Sequence, residues 1–490
     1  MKVPNTLFYL FVLSCTFFSC KSALLDEISK DKVITAAECA EIEAESASTP
    51  ELKAFLDADN KADKAKIAAY VRNKYHRVVT FSSDSAPTNG NAAAPKPQSD
   101  PLSIRPIYKV FIENSGSMDG FVTGETAFKN SIFSLLTDIK IKHLADNDQL
   151  QLNYINSKTI PFTASVEDFI KKLNPESFRT RGGNRSDSDI QSVLDSVLAQ
   201  TQANDVSLFV SDCLLSFKGK KVDDFLTGQK TALRGNFAAK IQQTPDFSTL
   251  IIQLKSPFFG KFYRYNDAVE TFKGQERPYF LWVMGRYGYV QQFMTTLNLN
   301  QSLDDKIENV YFLTNAVDKS LAHRVVMTDK IGSFLPDKTD PAHVLTQAAA
   351  SPREPTTGIF QFMVAVDCQT LTAGLGDAYL TDPTNYVVST PNYTLKIRKI
   401  EATEKQTNTL LSKYSHGLIL TTNKLQSQKI KISLKKKLPT WIEAATWTPD
   451  NGATEELKKT FGLSPILRGV LEAYNSDKDV FFDLNVEVKQ

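Results

Sequence analysis

From Ile107 the chain alternates between two hydrophobic periods, and that alternation limits the folds open to it more than any other feature. "YKVFIE" (Tyr108–Glu113) is a short apolar run; "ETAFKNSIFSLLTDIKIKHL" (Glu125–Leu144) repeats apolar residues every three or four positions. "LQLNYINSKTIPFTA" (Leu150–Ala164) reads as two strands joined by a tight turn, and Ser165 followed by Asp168 opens a helix as a capping pair. A helix from Ser188, the strand "DVSLFVSD" (Asp205–Asp212) and a helix from Lys230 come next. The strands "STLIIQLKS" (Ser248–Ser256) and "RPYFLWVMG" (Arg277–Gly285) and a helix near Tyr289–Leu297 complete the series. A strand that reaches its neighbour through a helix returns parallel to it, so the pattern predicts an α/β fold with a doubly wound, mostly parallel sheet.

In such sheets ligands bind beyond the carboxyl ends of the strands. Glu113, Ser115 and Ser117 follow the first apolar run, and Asp212 follows "VSLFVS". "GGNRSDSDI" (Gly182–Ile190) places Ser186, Asp187 and Ser188 just before a helix. These hydroxyls and carboxylates are hard oxygen donors of the kind a small divalent cation selects. A plainer reading is that Ser115 and Ser117 cap a helix and satisfy its unpaired amides.

Residues 105–298 resemble a von Willebrand factor A domain carrying a metal-ion-dependent adhesion site. That family has Asp-x-Ser-x-Ser after strand one, a Thr in a later loop before a helix, and an Asp after strand four. The matching positions are Glu113, Ser115, Ser117, Ser188 (with Ser186 close in register) and Asp212. The resemblance implies a bound divalent cation, magnesium or else calcium or manganese, whose open position takes a carboxylate from a protein partner. Two positions depart from the pattern: Glu113 stands for the first Asp, and a serine stands for the Thr. The extra methylene of Glu113 is expected to carry its carboxylate into the space of a bridging water.

A formal net charge of +2 over 490 residues argues against nucleic acid as a partner. The basic stretch "KIKISLKKKLP" from Lys429 alternates Lys with Ile and Leu, as the solvated face of a strand does. The five histidines stand apart, and the five cysteines form no CxxC pair, so neither zinc nor a disulfide framework is expected. No phosphate loop, GxSxG elbow or HExxH occurs. Glu113 with Asp119 or Asp212 could form an acid/base pair, but no nucleophile accompanies them, and a binding protein rather than an enzyme is expected.

At the other end, "MKVPNTLFYLFVLSC" and the following "FFSC" read as a bacterial lipoprotein signal over residues 1–20. It resembles a lipobox with Cys20 as the lipidated residue, which implies a protein anchored to a membrane of the cell envelope, the outer membrane in a Gram-negative cell. Residues 21–81 are Ala-rich and charged and predict helices. Within them "EISKDKVITAAE" has the ligand spacing of a calcium loop, but Glu27 and Lys32 occupy positions that want Asp and Gly, so calcium binding is not expected. Residues 82–104 have linker composition. Residues 299–490 are strand-rich with one helix, "LSPILRGVLEAY", and predict a sandwich-like module. The aromatic stretch "SPFFGKFYRYND" (Ser256–Asp267) reads as a loop, either a partner-binding edge or a pad beneath that module.

Overall fold

The computed structural model describes residues 105–490 apart from 143–148, 187–188, 216–220, 265–267, 298–302, 304–306, 317–320, 449–457 and 477–478. Before residue 105 it describes 33–34, 36–46, 49–57, 59–64, 66–67, 70–71 and 80–81. The signal segment with Cys20, the linker 82–104 and most of the calcium-loop-like stretch lie outside the described residues. The chain divides into two compact units, 1–96 and 97–490.

In the first unit, Val33–Ile34 pairs in parallel with Thr80–Phe81, and a helix spans Ala36–Glu45. Ile34, Ile42, Leu52, Leu56, Ile67 and Val71 form a small core of their own. The acidic patch at Asp57 closes on itself: its carboxylate accepts the amides of Asp59 and Lys61, both at 2.9 Å.

The second unit is built on a seven-stranded mixed sheet. Its strands in chain order are β1 (Ile107–Glu113), β2 (Leu150–Ile155), β3 (Thr159–Phe162), β4 (Asp205–Ser211), β5 (Phe247–Tyr263), β6 (Val269–Arg286) and β7 (Ile307–Thr314). Their spatial order is β3-β2-β1-β4-β6-β5-β7. β1 is parallel to both β2 and β4, while the remaining pairings are antiparallel. Parallel pairing is therefore confined to the centre of the sheet. All seven residues of β4 are buried, including Asp205, which pairs with Lys109 at 2.6 Å, and Ser207, whose hydroxyl meets that of Thr201 at 2.7 Å.

Helices cover the sheet where the 3.6-residue period predicts them. α1 (Ala127–Lys142) buries Phe128, Ile132, Leu135, Leu136 and Ile139. α2 (Val166–Lys171) is capped by Ser165, whose hydroxyl accepts the Asp168 amide at 3.1 Å. α3 (Pro175–Thr180), α4 (Ile190–Gln200), α5 (Val222–Gln243) and α6 (Tyr287–Thr296) follow. Among the described residues no helix is long and apolar enough to cross a membrane.

The sheet does not end at the boundary expected at 298. β7 supplies its outer strand from beyond that point, pairing with β5 over Ser248–Leu254. The rest of the chain forms a four-stranded antiparallel sheet (323–331, 360–366, 416–422, 394–399 in spatial order) and a five-stranded mixed sheet (333–336, 344–349, 480–488, 428–435, 386–388). Both share one hydrophobic core with the first sheet. In the strand Gln428–Lys435, Lys429 and Lys431 are exposed while Ile430, Ile432 and Leu434 are buried, so this part of the basic run is a solvated strand face; Lys436, just beyond it, is buried and donates to Asn315.

The helix Leu463–Tyr474 fastens the end of the chain to its middle. Its apolar stripe, Ile466, Leu467, Val470 and Tyr474, is fully buried, and the helix packs on α5. The Tyr474 and Thr249 hydroxyls meet at 2.9 Å, and Lys230 pairs with Glu472 at 2.8 Å. Gly469 permits the close approach, since a methyl group there would lie 2.4 Å from the Lys230 carbonyl oxygen.

Gly469→Val should therefore lower the urea midpoint by an amount equivalent to about 1–3 kcal/mol, the usual cost of overpacking. An unchanged midpoint would mean the two helices are not held in this contact. A pH effect is expected at His416, which is buried in its strand and whose pKa is lowered, chiefly by desolvation, with the nearby Asp377 acting in the opposite sense. A depressed histidine keeps full stability above its unfolded pKa of about 6.5 and loses it as the pH falls toward the folded value. His416→Asn should flatten that decline in a series of melting temperatures taken below pH 6.5.

Candidate functional site

Because β1 and β4 are parallel neighbours, the segments that leave their carboxyl ends emerge side by side. After β1 the chain turns through a short 3-10 helix, Gly116–Phe121, with Ser115 at its N-cap. Ser115 makes no side-chain capping bond there. Its Oγ meets Ser117 Oγ at 2.9 Å, and Ser117 Oγ donates to Asp212 Oδ1 at 3.2 Å. The hydroxyls are thus directed at the carboxylate beyond β4 and not at the helix amides, which removes the capping reading.

Asp212 is 1% exposed and also accepts the Leu214 amide on Oδ1 at 3.3 Å. Its other oxygen, Oδ2, is buried without a hydrogen-bond partner in this structure. Burial raises the pKa of Asp212, opposed by the positive charge of Arg277. Arg277 is itself fully buried, with its guanidinium 3.9 Å from the centre of the Phe262 ring.

Glu113 does not join this group in the expected way. Its longer side chain takes the Ser211 hydroxyl on Oε2, and Ser211 Oγ in turn accepts the Cys213 amide at 2.7 Å. The added methylene thus lets the carboxylate reach the last residue of β4. Asp119 accepts from Arg185 and, at 3.3 Å, from Arg179.

Ser115, Ser117 and Asp119 open onto a pocket of about 800 Å³. One wall comes from the loop of the "GGNR" motif. Arg185 ties that loop down by donating to the carbonyls of Asn114 (2.7 Å) and Ser115 (3.2 Å), while the Gly116 amide donates to the Arg185 carbonyl at 3.0 Å. Asn156 bridges Asn114 and Gly182 at 3.0 and 2.9 Å. Ser186 lines the pocket, whereas Ser188 lies outside the described residues.

The opposite surprise is the aromatic stretch after Ser256. It is no loop: β5 and β6 continue as a paired hairpin through Tyr263 and Val269. Nor does it pad the C-terminal module. Phe258 packs edge-on against Phe121 at 5.0 Å, and Phe258 and Phe262 are buried around Arg277. On the other face of the strand, Phe259, Lys261 and Tyr263 line the pocket. Period-two alternation within "FFGKFY" carries this signal, although Pro257 and Gly260 obscure it. Arg179, Arg185 and Lys261 are pocket residues that sequence reasoning missed, and nothing in the local pattern distinguished them from ordinary surface cations.

Ser115 Oγ, Ser117 Oγ and the unpaired Asp212 Oδ2 are hard oxygens of the type a magnesium-sized cation takes, although Asp212 is not among the residues lining the pocket. Among the described residues no group of three or more His, Cys, Asp or Glu is placed to hold a metal ion, here or elsewhere. Ser211→Ala should destabilise the fold by about 1–3 kcal/mol in denaturant titrations, because a buried carboxylate and a buried amide each lose a partner. A wild-type midpoint would show that Glu113 is held by other groups.

No protein-family model, curated protein or solved structure matches this chain.

Proposed function

We propose that the protein is an envelope-anchored binding or assembly protein that engages a protein partner through a divalent cation held by Ser115, Ser117 and Asp212. In this reading residues 105–298, with the strand β7, form a variant von Willebrand A-like domain, and residues beyond them form a sandwich-like module. Lipidation at Cys20 attaches the chain to a membrane of the bacterial envelope. The observation that carries the reading is the hydroxyl–hydroxyl–carboxylate chain, whose two serines line a pocket and whose carboxylate keeps one buried oxygen unpaired. Glu113 serves the site by bracing the end of β4, and Ser188 or Ser186 supplies a further hydroxyl from the neighbouring loop.

One observation favours a metal-free scaffold as the second reading. The buried charge of Arg277 acts on Asp212 and already does part of what a cation would do. The two readings differ in a thermal-shift experiment. With magnesium, calcium or manganese at a hundred times its Kd, the metal reading gives about 2.7 kcal/mol of stabilisation. Ser115→Ala/Ser117→Ala should remove it while folding normally. If no cation raises the melting temperature of the wild type, the scaffold reading replaces the metal one.

A further inference from the structure

Resting on the binding reading above, we infer that the pocket's ligand is an acidic peptide segment bearing two separated carboxylates. One is received at the Ser115–Ser117 corner, and the other at a cationic wall formed by Lys261 and Arg179. The wall belongs to the β5–β6 hairpin and the α3 segment, not to the strand-end residues that would hold a cation.

The charges on the pocket walls set the ligand class. Arg179 and Arg185 share the single carboxylate of Asp119, which leaves one positive charge between them. Arg185 is committed to the Asn114 and Ser115 carbonyls, whereas the side chain of Arg179 is 65% exposed and uses only Nε. Lys261 adds a second positive charge to this wall from β5, exposed and with no ion-pair partner among the described residues. A phosphate group concentrates its charge and is best met by donors that converge on one point. Here the two surplus charges sit on separate elements, and Asp119 stands beside one of them. A carboxylate, which carries one charge on two oxygens, suits such a spaced pair of cations better than a dense anion does, and leaves the Ser115–Ser117 corner to the second carboxylate.

Apolar groups line the space as well. Phe259 and Tyr263 flank Lys261 on the same face of β5, and Leu214 adds an aliphatic surface. The Tyr263 ring lies over the Gly116 backbone, where an added methyl would sit 3.6 Å from Cε2. A pocket of about 800 Å³ exceeds the needs of one side chain and accommodates several residues of an extended chain. The wall is firmly placed, because the alternate residues Phe258 and Phe262 are buried beneath it.

The test uses the full chain and fluorescence anisotropy. The probe is a fluorescein-labelled hexapeptide with two aspartates separated by two alanines; the controls are its bis-asparagine counterpart and inorganic tripolyphosphate as competitor. The bis-aspartate peptide should bind, and Lys261→Glu with Arg179→Glu should weaken it by about tenfold or more, since like charges now face each other. Magnesium-induced stabilisation should be the same in that variant as in the wild type. Equal binding of the bis-asparagine peptide, an unchanged affinity in the variant, or displacement by tripolyphosphate at lower concentration than by unlabelled peptide would each overturn the inference. A wild type that gains nothing from magnesium yet binds the peptide in a Lys261-dependent way overturns the metal reading and supports the cationic wall.

Discussion

The parallel embrace of β1 by β2 and β4 is the constraint on which the rest of the site depends. Glu113 is aligned with Ile155, and Ile112 with Val210, so three chain segments leave the sheet at nearly the same level. Antiparallel neighbours would have scattered those exits over both edges. The alignment lets Ser117 reach Asp212 across 95 positions of sequence and lets the Asn114 amide bond to the Ile155 carbonyl at 3.0 Å. Hydroxyls meet carboxylates here because the sheet's pairing brings them there, with no help from local sequence.

Such a cluster is costly to bury. Two carboxylates, Glu113 and Asp212, are almost fully withdrawn from water, and each needs compensation from a fixed neighbour. Ser211 supplies it for Glu113, and Arg277 acts on Asp212 from the long hairpin. The arginine is held by aromatic faces, Phe262 most closely, so the hairpin's rings and its charge form one device. The hairpin therefore shapes the site electrostatically as well as sterically.

What was legible in the sequence follows from where the deciding interactions lie. β1, β4 and the helices α1 and α4 were readable because their burial is set by their own periodicity, and the Ser165 cap because it is local. Strand ends carrying Glu113, Ser115, Ser117 and Asp212 could be placed at one edge by topology alone. The direction of the Glu113 side chain was not readable, since it depends on Ser211 lying in the adjacent strand. The hairpin was hidden because Pro257, Gly260 and Gly274 interrupt the apolar pattern, while its true partner is the other arm of the same hairpin. Gly274, at φ of 106°, sits at the bulge opposite Phe258 and Phe259, where a side chain would be strained. The helix Gln369–Thr381 escaped notice for a similar reason: Gly376 breaks its geometry at φ of 75°.

The docking of Leu463–Tyr474 on α5 has a consequence for how the chain acquires its structure. α5 and the strand β5 it adjoins are made early in synthesis, but the surface that covers them arrives more than two hundred residues later, as the Thr249–Tyr474 bond at a separation of 225 shows. A chain emerging amino end first must hold an unfinished apolar face until that helix appears. Contacts this distant in sequence slow folding and leave partly formed sheets exposed to association. The shared core thus makes synthesis of the Leu463–Tyr474 helix a condition for burying α5.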